Sequence, residues 1–268
     1  MNFRLNLAWM YPDLMSTYGD RGNIIVLTKR CQWRGIEVNI KEITLETKVS
    51  ELSNCDLIFM GGAQDRQQKI AGDDFLKNKG PMIKELVENS VPALFVCAAY
   101  QAVGHFYKPY QGEPIPGPGI FDLHTEHPGD QAKRLIGNVV AELISDQFDV
   151  IARSPVSKYG INSATKQSSH LIVGFENHGG RTYLGKKLQP FARVIKGGGN
   201  NGEDGYEGAL YKNSIGSYFH GPLLPKNPYI ADWLIAKALE KKYVAKIRLR
   251  QLDDGLEKQA HKFVSTLR

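Results

Sequence analysis

Short runs of hydrophobic residues alternate along this chain with longer segments in which apolar side chains recur every three or four positions. Apolar and polar residues alternate over residues 3–10, which predicts a first strand. The apolar residues of segment 24–31 then share one helical face, and Gly35 ends that predicted helix. A second strand follows at residues 37–43. The chain therefore opens with a strand-helix-strand unit, which implies parallel pairing.

Two further predicted strands end in turns that suggest functional sites, one for binding an anion and one for holding a nucleophile. The apolar run 56–60 leads directly into Gly61-Gly62, a turn that can present backbone N–H groups to an anion. The run 93–96 stops at Cys97, where the small residues Ala98 and Ala99 permit a sharp turn into a helix. A thiol at such an elbow is a candidate nucleophile, and the next N–H points toward a developing oxyanion. The ordinary alternative is a small buried side chain in the core.

The pattern is less regular in the second half of the chain. Residues 135–144, residues 148–152 and a segment from Leu171 predict strands, and the polar segment 154–169 between them predicts a long hairpin loop or an insertion. Residues 175–183 predict a turn between strands because they contain two adjacent glycines.

A last strand and a last main helix follow. The strand at residues 215–219 delivers His220 just past its end, and Asn227 with Pro228 predicts the start of the helix. Apolar residues recur at helical spacing in segment 244–268, which predicts an amphipathic tail helix. Its apolar face either docks on its own domain or contacts another subunit.

Composition places the protein among ordinary globular proteins. The chain has 268 residues, of which 42% are hydrophobic and 23% are charged. We therefore expect one α/β domain over residues 1–243, followed by a basic tail at 244–268. The three cysteines are odd in number and form no C-x-x-C pair, which favours a reducing cytoplasm over a disulfide or zinc framework. The sequence lacks the pattern of a secretory signal or membrane span.

The formal net charge of +6 is unevenly distributed. Residues 241–268 contain eight basic and three acidic residues, so the rest of the chain is nearly neutral. Anionic lipid, an acidic partner and nucleic acid are all possible ligands of such a tail, and a solvated helix is the alternative. We expect no nucleic-acid binding, because the body of the protein carries no basic excess.

A thiolate nucleophile needs a base, and histidine titrates near neutral pH. The chain has seven histidines. Only His178 and His220 lie in glycine-containing turns after predicted strands, and His220 follows the strand that best fits a central sheet. Cys97 and His220 are therefore the candidate catalytic pair, and a structural histidine with satisfied hydrogen bonds is the ordinary alternative for His220.

Taken together, these motifs resemble the class I glutamine amidotransferase family, and within it the CobB/CobQ-like branch. The resemblance rests on Cys97 with Gln101, on Gly61-Gly62 and on Gly-Ser-Tyr-Phe-His-Gly at 216–221. Four ordered motifs are also similar to those of the glutaminase subunits of lipid II isoglutaminyl synthase; they occupy residues 20–23, 61–65, 174–183 and 220–227. The resemblance covers about residues 3–243. It implies a three-layer, flavodoxin-like α/β fold with a mainly parallel sheet and an antiparallel C-terminal part.

The same resemblance implies roles for individual residues. Cys97 attacks the side-chain carboxamide of L-glutamine, His220 transfers the proton, and the thioester that forms is hydrolysed with release of ammonia. The further implied residues are Gly62 and Ala98 for the oxyanion hole and Arg134, Gln101, Asn177 and His178 for substrate binding. No metal and no cofactor are implied for this chain.

The resemblance also implies a partner. Class I enzymes place an acidic residue two positions after the histidine, whereas this chain has Pro222 there. The implied partner is a MurT-type Mur-ligase-like subunit that supplies an aspartate to orient His220. With ATP and Mg²⁺ it uses the ammonia to amidate the D-glutamate of lipid II, in the cytoplasm near the inner face of the membrane.

Two other functions stay open. The first is a stand-alone CobB/CobQ-like amidase. The second is a non-catalytic regulatory subunit of the same fold, because the family commonly has Gly-Gly where this chain has Ala98-Ala99.

Overall fold

The computed structural model describes residues 2–148 and 171–267. Its strands are β1 (Arg4–Met10), β2 (Glu37–Ile43), β3 (Leu57–Met60), β4 (Ala93–Val96), β5 (Phe106–Lys108), β6 (Ile115–Pro116), β7 (Leu123–Glu126), β8 (Leu135–Leu143), β9 (Leu171–His178), β10 (Arg181–Leu184), β11 (Ala192–Lys196), β12 (Tyr206–Glu207), β13 (Ala209–Tyr211) and β14 (Ser214–Ser217). Its helices are α1 (Arg21–Gln32), α2 (Asp65–Asp74), α3 (Gly80–Glu88), α4 (Ala98–Ala102), α5 (Leu223–Lys226), α6 (Pro228–Tyr243) and α7 (Gly255–Thr266).

A six-stranded sheet with the order β13-β14-β4-β3-β1-β2 forms the centre of the fold. All of its pairings are parallel except β13 with β14. Every residue of β3 and β4 is buried, which explains why these strands are continuous apolar runs. The predicted mainly parallel α/β sheet with an antiparallel C-terminal part is confirmed.

Two smaller sheets extend the second half of the chain. One has the order β10-β7-β5-β6, and the other has the order β12-β11-β8-β9. Strands β8 and β9 pair antiparallel over eight residues. Because β9 continues to His178, the prediction of a turn over 175–183 was wrong, and only Gly179 and Gly180 separate β9 from β10.

Other predicted boundaries agree with the structure, differ from it by a few residues, or lie outside the described residues. The last main helix begins at Pro228 as predicted, but the Asn227 side chain makes no capping bond. It joins the helix to β9 instead, accepting from Val173 N at 3.0 Å and donating to Val173 O at 2.8 Å. Strand β14 ends two residues before Phe219, the end predicted for it. Phe148 closes a 3-10 turn, and the remainder of the predicted strand 148–152, with segment 154–169, lies outside the described residues.

The basic tail is anchored to the domain by ion pairs. Arg30 is 1% exposed and contacts both Asp232 of α6 and Asp254, the residue that precedes α7. The predicted apolar face of α7 points outward, with Leu256 and Phe263 exposed. Docking of that face on its own domain is therefore contradicted. Within residues 2–148 and 171–267, no helix has the length and apolar character needed to cross a membrane.

Candidate active site

The carboxyl ends of four neighbouring strands meet at one edge of the central sheet. In the order β14, β4, β3 and β1, these ends lead to His220, Cys97, Gly62 and the loop that carries Asp20. Loops at this edge of a parallel sheet commonly form the ligand site. The sheet therefore brings together residues from four distant parts of the chain.

Cys97 sits at the predicted elbow between β4 and α4. Its backbone has φ 52° and ψ −106°, a left-handed conformation that a residue with a Cβ rarely adopts. The Cys97 N–H donates to Ser217 O at 2.8 Å, which fixes the turn to the neighbouring strand. Ala98 is the first residue of α4, where the N–H groups lack partners within the helix. The elbow and the position of Ala98 beside the thiol agree with the prediction.

His220 is 1% exposed and lies against Cys97. Burial lowers the pKa of His220, but the charge of Cys97 and hydrogen bonds to Asp20 and Cys97 outweigh burial and raise that pKa to about 10. These interactions favour protonation of the imidazole, so His220 is suited to take the proton of the Cys97 thiol. A Cβ on Gly62 would lie 2.7 Å from His220 Cε1 and 3.4 Å from Cys97 Cβ, so only glycine leaves room for this group of three residues.

Asp20 occupies the position that the sequence analysis assigned to a partner. Its Oδ1 accepts a hydrogen bond from His220 Nδ1 at 3.0 Å, and Asp20 is 0% exposed. The expectation that the chain lacks a carboxylate for His220 was therefore wrong. The position two residues after the histidine is indeed Pro222, but the carboxylate comes from the loop after β1, 200 residues earlier.

Gly62 lies where an oxyanion-hole residue is expected, but its N–H is already engaged. It donates to Asp20 Oδ2 at 2.6 Å. In the described conformation Gly62 does not offer an N–H to an oxyanion, which differs from the prediction. Ala98 is the other predicted donor, and its role stays a prediction.

Gln101 lies one turn after the nucleophile, and its side chain is 5% exposed. Its Nε2 donates to the Tyr218 hydroxyl at 3.2 Å, and its Oε1 accepts from Gln68 Nε2 at 3.1 Å. The Tyr218 hydroxyl also shares a hydrogen bond of 2.6 Å with Thr182 Oγ1. A buried polar network thus fixes the side chain of Gln101 beside the thiol.

Arg134 lies just before β8, and its side chain is exposed. Its Nη2 donates to Asn177 Oδ1 at 3.0 Å and to Asn177 O at 3.1 Å, so Asn177 orients the guanidinium rather than standing free as a ligand. Burial raises the pKa of Tyr107 to about 12, and the charges of Asp65, Cys97 and Arg134 also act on it. Cys97 and Arg134 are therefore both near enough to Tyr107 for their charges to act on its hydroxyl. A guanidinium suits a carboxylate in two-point contact, and the role of Arg134 in binding glutamine stays a prediction.

The resemblance implied that His178 binds substrate, but its side chain is buried against Tyr218. Its ring stacks on Tyr218 with centroids 3.5 Å apart and planes inclined by 6°. Nδ1 donates to Gly180 O at 2.8 Å. Burial lowers the pKa of His178, so the ring is neutral. The contacts of His178 support Tyr218, and through it Gln101.

Four residues of this site were not predicted: Asp20, Gln68, Tyr107 and Tyr218. A signal for Asp20 existed, because residues 20–23 were recognised as a motif and they follow a strand of the central sheet. Gln68 and Tyr107 lie in segments without a distinctive pattern. Among the described residues, no three His, Cys, Asp or Glu side chains are grouped to hold a metal ion.

Comparisons with known proteins agree with this geometry. The profile of the CobB/CobQ-like glutamine amidotransferase domain matches residues 6–228. The chain is 40% identical to the lipid II isoglutaminyl synthase (glutamine-hydrolyzing) subunit GatD of Staphylococcus aureus, over 96% of this chain and 93% of that protein. It is 34% identical to the subunit of the same name from Streptococcus pneumoniae, over 96% and 89%. A solved glutamine amidotransferase superposes with a TM-score of 0.53 at 14% identity, covering 86% of this chain and 98% of the other, which supports the fold.

Proposed function

The chain belongs to the CobB/CobQ-like glutamine amidotransferase family, and on that premise we propose that it is the glutamine-hydrolysing subunit of a two-subunit lipid II isoglutaminyl synthase. The main observation behind the proposed catalysis is that Cys97, at its strained elbow, contacts His220. The His220 side chain is buried and hydrogen-bonded to the carboxylate of Asp20. The choice of lipid II is supported by similarity over nearly the whole chain to two proteins named as subunits of that synthase.

The mechanism follows from the positions of these side chains. The thiol proton passes to His220 Nε2, and the sulfur attacks the side-chain carbonyl carbon of L-glutamine. The tetrahedral intermediate carries its negative charge on the former carbonyl oxygen, near the N–H of Ala98. His220 then returns the proton to the leaving nitrogen, and ammonia departs. Water hydrolyses the γ-glutamyl thioester on Cys97 and releases glutamate.

Arg134 is proposed to bind the α-carboxylate of glutamine. Its guanidinium is held by Asn177, and the charges of Arg134 and Cys97 both act on Tyr107. An arginine fork suits a carboxylate in two-point contact, and a substrate held at that end directs its carboxamide toward Cys97.

The ammonia is proposed to pass to a Mur-ligase-like partner of the MurT type. That partner would bind ATP and Mg²⁺ and amidate the α-carboxylate of D-glutamate in lipid II to D-isoglutamine. Work on a lipid-linked substrate would place the heterodimer in the cytoplasm, near the inner face of the membrane. The role of this chain in peptidoglycan synthesis is therefore to supply nitrogen.

The experiment that tests this function measures two products in parallel. Purified chain, with and without the partner, is supplied with L-glutamine, ATP and lipid II, and both glutamate and amidated lipid II are quantified. We expect amidation only with both proteins, and no glutamine-dependent amidation with Cys97→Ala. Free ammonia should restore amidation with that variant, because the partner is intact.

The two alternatives give different results in the same assay. A stand-alone amidase would release glutamate at the same rate with and without the partner, and lipid II would stay unmodified. A non-catalytic subunit would support amidation from free ammonia but not from glutamine, whether or not Cys97 is present.

A further inference from the structure

The segment 20–23 is interlocked with the segment 220–224 that carries the histidine. A Cβ on Gly22 would lie 2.4 Å from Pro222 Cγ, so the two segments meet in close contact at this glycine. Asn23 Oδ1 accepts the N–H at the second residue of α5 at 2.9 Å. The placement of one segment therefore fixes the placement of the other, although they are far apart in sequence.

Both oxygens of the Asp20 carboxylate are in use. Oδ1 accepts from His220 Nδ1 at 3.0 Å, and Oδ2 accepts from the Gly62 N–H at 2.6 Å. The side chain is fully buried, so these two bonds replace hydration that the carboxylate would have in water. A carboxylate held in this way has one orientation, and it imposes that orientation on the imidazole.

The geometry points to Asp20 as the positioning residue of the glutaminase reaction, the carboxylate that orients His220 from within this chain. The inference rests on the glutaminase function proposed above. It assigns to the loop after β1 the part that class I enzymes give to a residue two positions after the histidine, where this chain has Pro222. It also means that the imidazole is oriented before any second subunit binds.

The chemical consequence concerns the two ring nitrogens. Because Nδ1–H donates to Asp20, Nε2 is the nitrogen that takes the thiol proton. The negative carboxylate stabilises the imidazolium that results, and the imidazolium stabilises the thiolate. Removing the charge of Asp20 should make the thiolate form only at higher pH.

The test measures the pH dependence of Cys97 alkylation by iodoacetamide in the full chain, with the labelled peptide quantified by mass spectrometry. Asp20→Asn should move the midpoint of the alkylation profile upward by about one pH unit or more. In glutamine hydrolysis it should lower kcat by about 100-fold or more. KM should change little, because Asp20 is fully buried and both of its carboxylate oxygens are bonded to the protein.

Asn23→Ala is the matched control. Asn23 is buried in the same segment, and its uncharged side chain accepts a hydrogen bond from α5. We expect this variant to lower the melting temperature without moving the alkylation midpoint. An Asp20→Asn profile that superimposes on the wild-type profile would overturn the inference, and so would an equal shift in Asn23→Ala.

A second measurement needs no variant and covers the case in which Asp20→Asn does not fold. In protein labelled with ¹⁵N-histidine, NMR should show a proton bonded to Nδ1 of His220 and protected from exchange. A His220 ring without a proton on Nδ1 would contradict the inference. Alkylation and NMR require no glutamine turnover, so an inactive protein with the expected profiles would count against the proposed function and leave the role of Asp20 intact.

Discussion

The Gly62 N–H donates to Asp20 Oδ2 at 2.6 Å, so an N–H group expected to bind an oxyanion is bound to a carboxylate instead. A carboxylate beside the developing oxyanion would oppose its charge. We therefore predict that this bond opens during catalysis. In a covalent adduct of Cys97 with a glutamine analogue, a crystal structure should show Gly62 N beyond hydrogen-bond distance from Asp20. An adduct in which the 2.6 Å contact persists would show that Gly62 is not an oxyanion donor.

Gly62→Ala should abolish most of the glutaminase activity. The added Cβ would lie 2.7 Å from His220 Cε1 and 3.1 Å from Asp20 Oδ2, so the imidazole must move away from the thiol. Moving the imidazole away from the thiol should lower kcat by about 100-fold. Gly72→Ala is the control, since its Cβ would meet only Ile115 Cγ2 at 3.9 Å. Steady-state kinetics of both variants should separate them, and comparable activities would contradict the assignment of Gly62 to the site.

Tyr218→Phe should raise the KM for glutamine. The hydroxyl that it removes accepts from Gln101 Nε2 at 3.2 Å, and its loss leaves a buried amide without that partner. A cost of about 1–2 kcal/mol corresponds to a 5-fold to 30-fold increase in KM. Tyr100→Phe removes another buried hydroxyl, which donates to Asn200 Oδ1 at 3.2 Å, and it should change KM less than twofold. Equal KM values for the two variants would argue against a role of Gln101 in binding.

The buried carboxyl of Glu207 should make the free energy of unfolding depend on pH. Burial raises the pKa of this carboxyl from 4.5 to about 8, although Ser217 Oγ and Tyr218 N donate to its Oε1. Between about pH 4.5 and 8 the unfolded chain loses this proton while the folded chain keeps it. The free energy of unfolding should therefore fall as pH rises through that window. In Glu207→Gln this part of the dependence should disappear.

The measurement is chemical denaturation of both proteins at several pH values from 4.5 to 9. The exposed neighbour Glu203→Gln serves as the control and should follow the wild type. If Glu207→Gln loses stability with rising pH as steeply as the wild type, another group is responsible.

The elbow and the histidine were predictable from sequence because both depend on local pattern. A short apolar run followed by small residues defines the turn at Cys97, and a strand followed by glycine defines the position of His220. Strand β9 was cut short in the prediction because Gly179 and Gly180 indicate a turn. In the structure, pairing with β8 carries the strand to His178.

The partner of His220 could not be found in this way. Asp20 is 200 residues distant in sequence, and only the strand order β14-β4-β3-β1 brings the two loops to the same edge. The sequence showed that an acidic residue was missing after His220, but not that another loop supplies one. The outward face of α7 was also unpredictable. The ion pair of Arg30 with Asp254 holds the start of this helix, and it leaves no trace in hydrophobic spacing.

The most direct test of the account is covalent labelling of the full chain with a diazoketone analogue of L-glutamine. Peptide mass spectrometry should find one adduct, on Cys97, that excess glutamine suppresses and that His220→Ala forms much more slowly. Burial raises the pKa of Cys31 to about 12 and the pKa of Cys55 to about 11, so these two thiols should stay unlabelled. Absence of an adduct on Cys97 in folded protein, or labelling that is independent of His220, would contradict the Cys97–His220 mechanism.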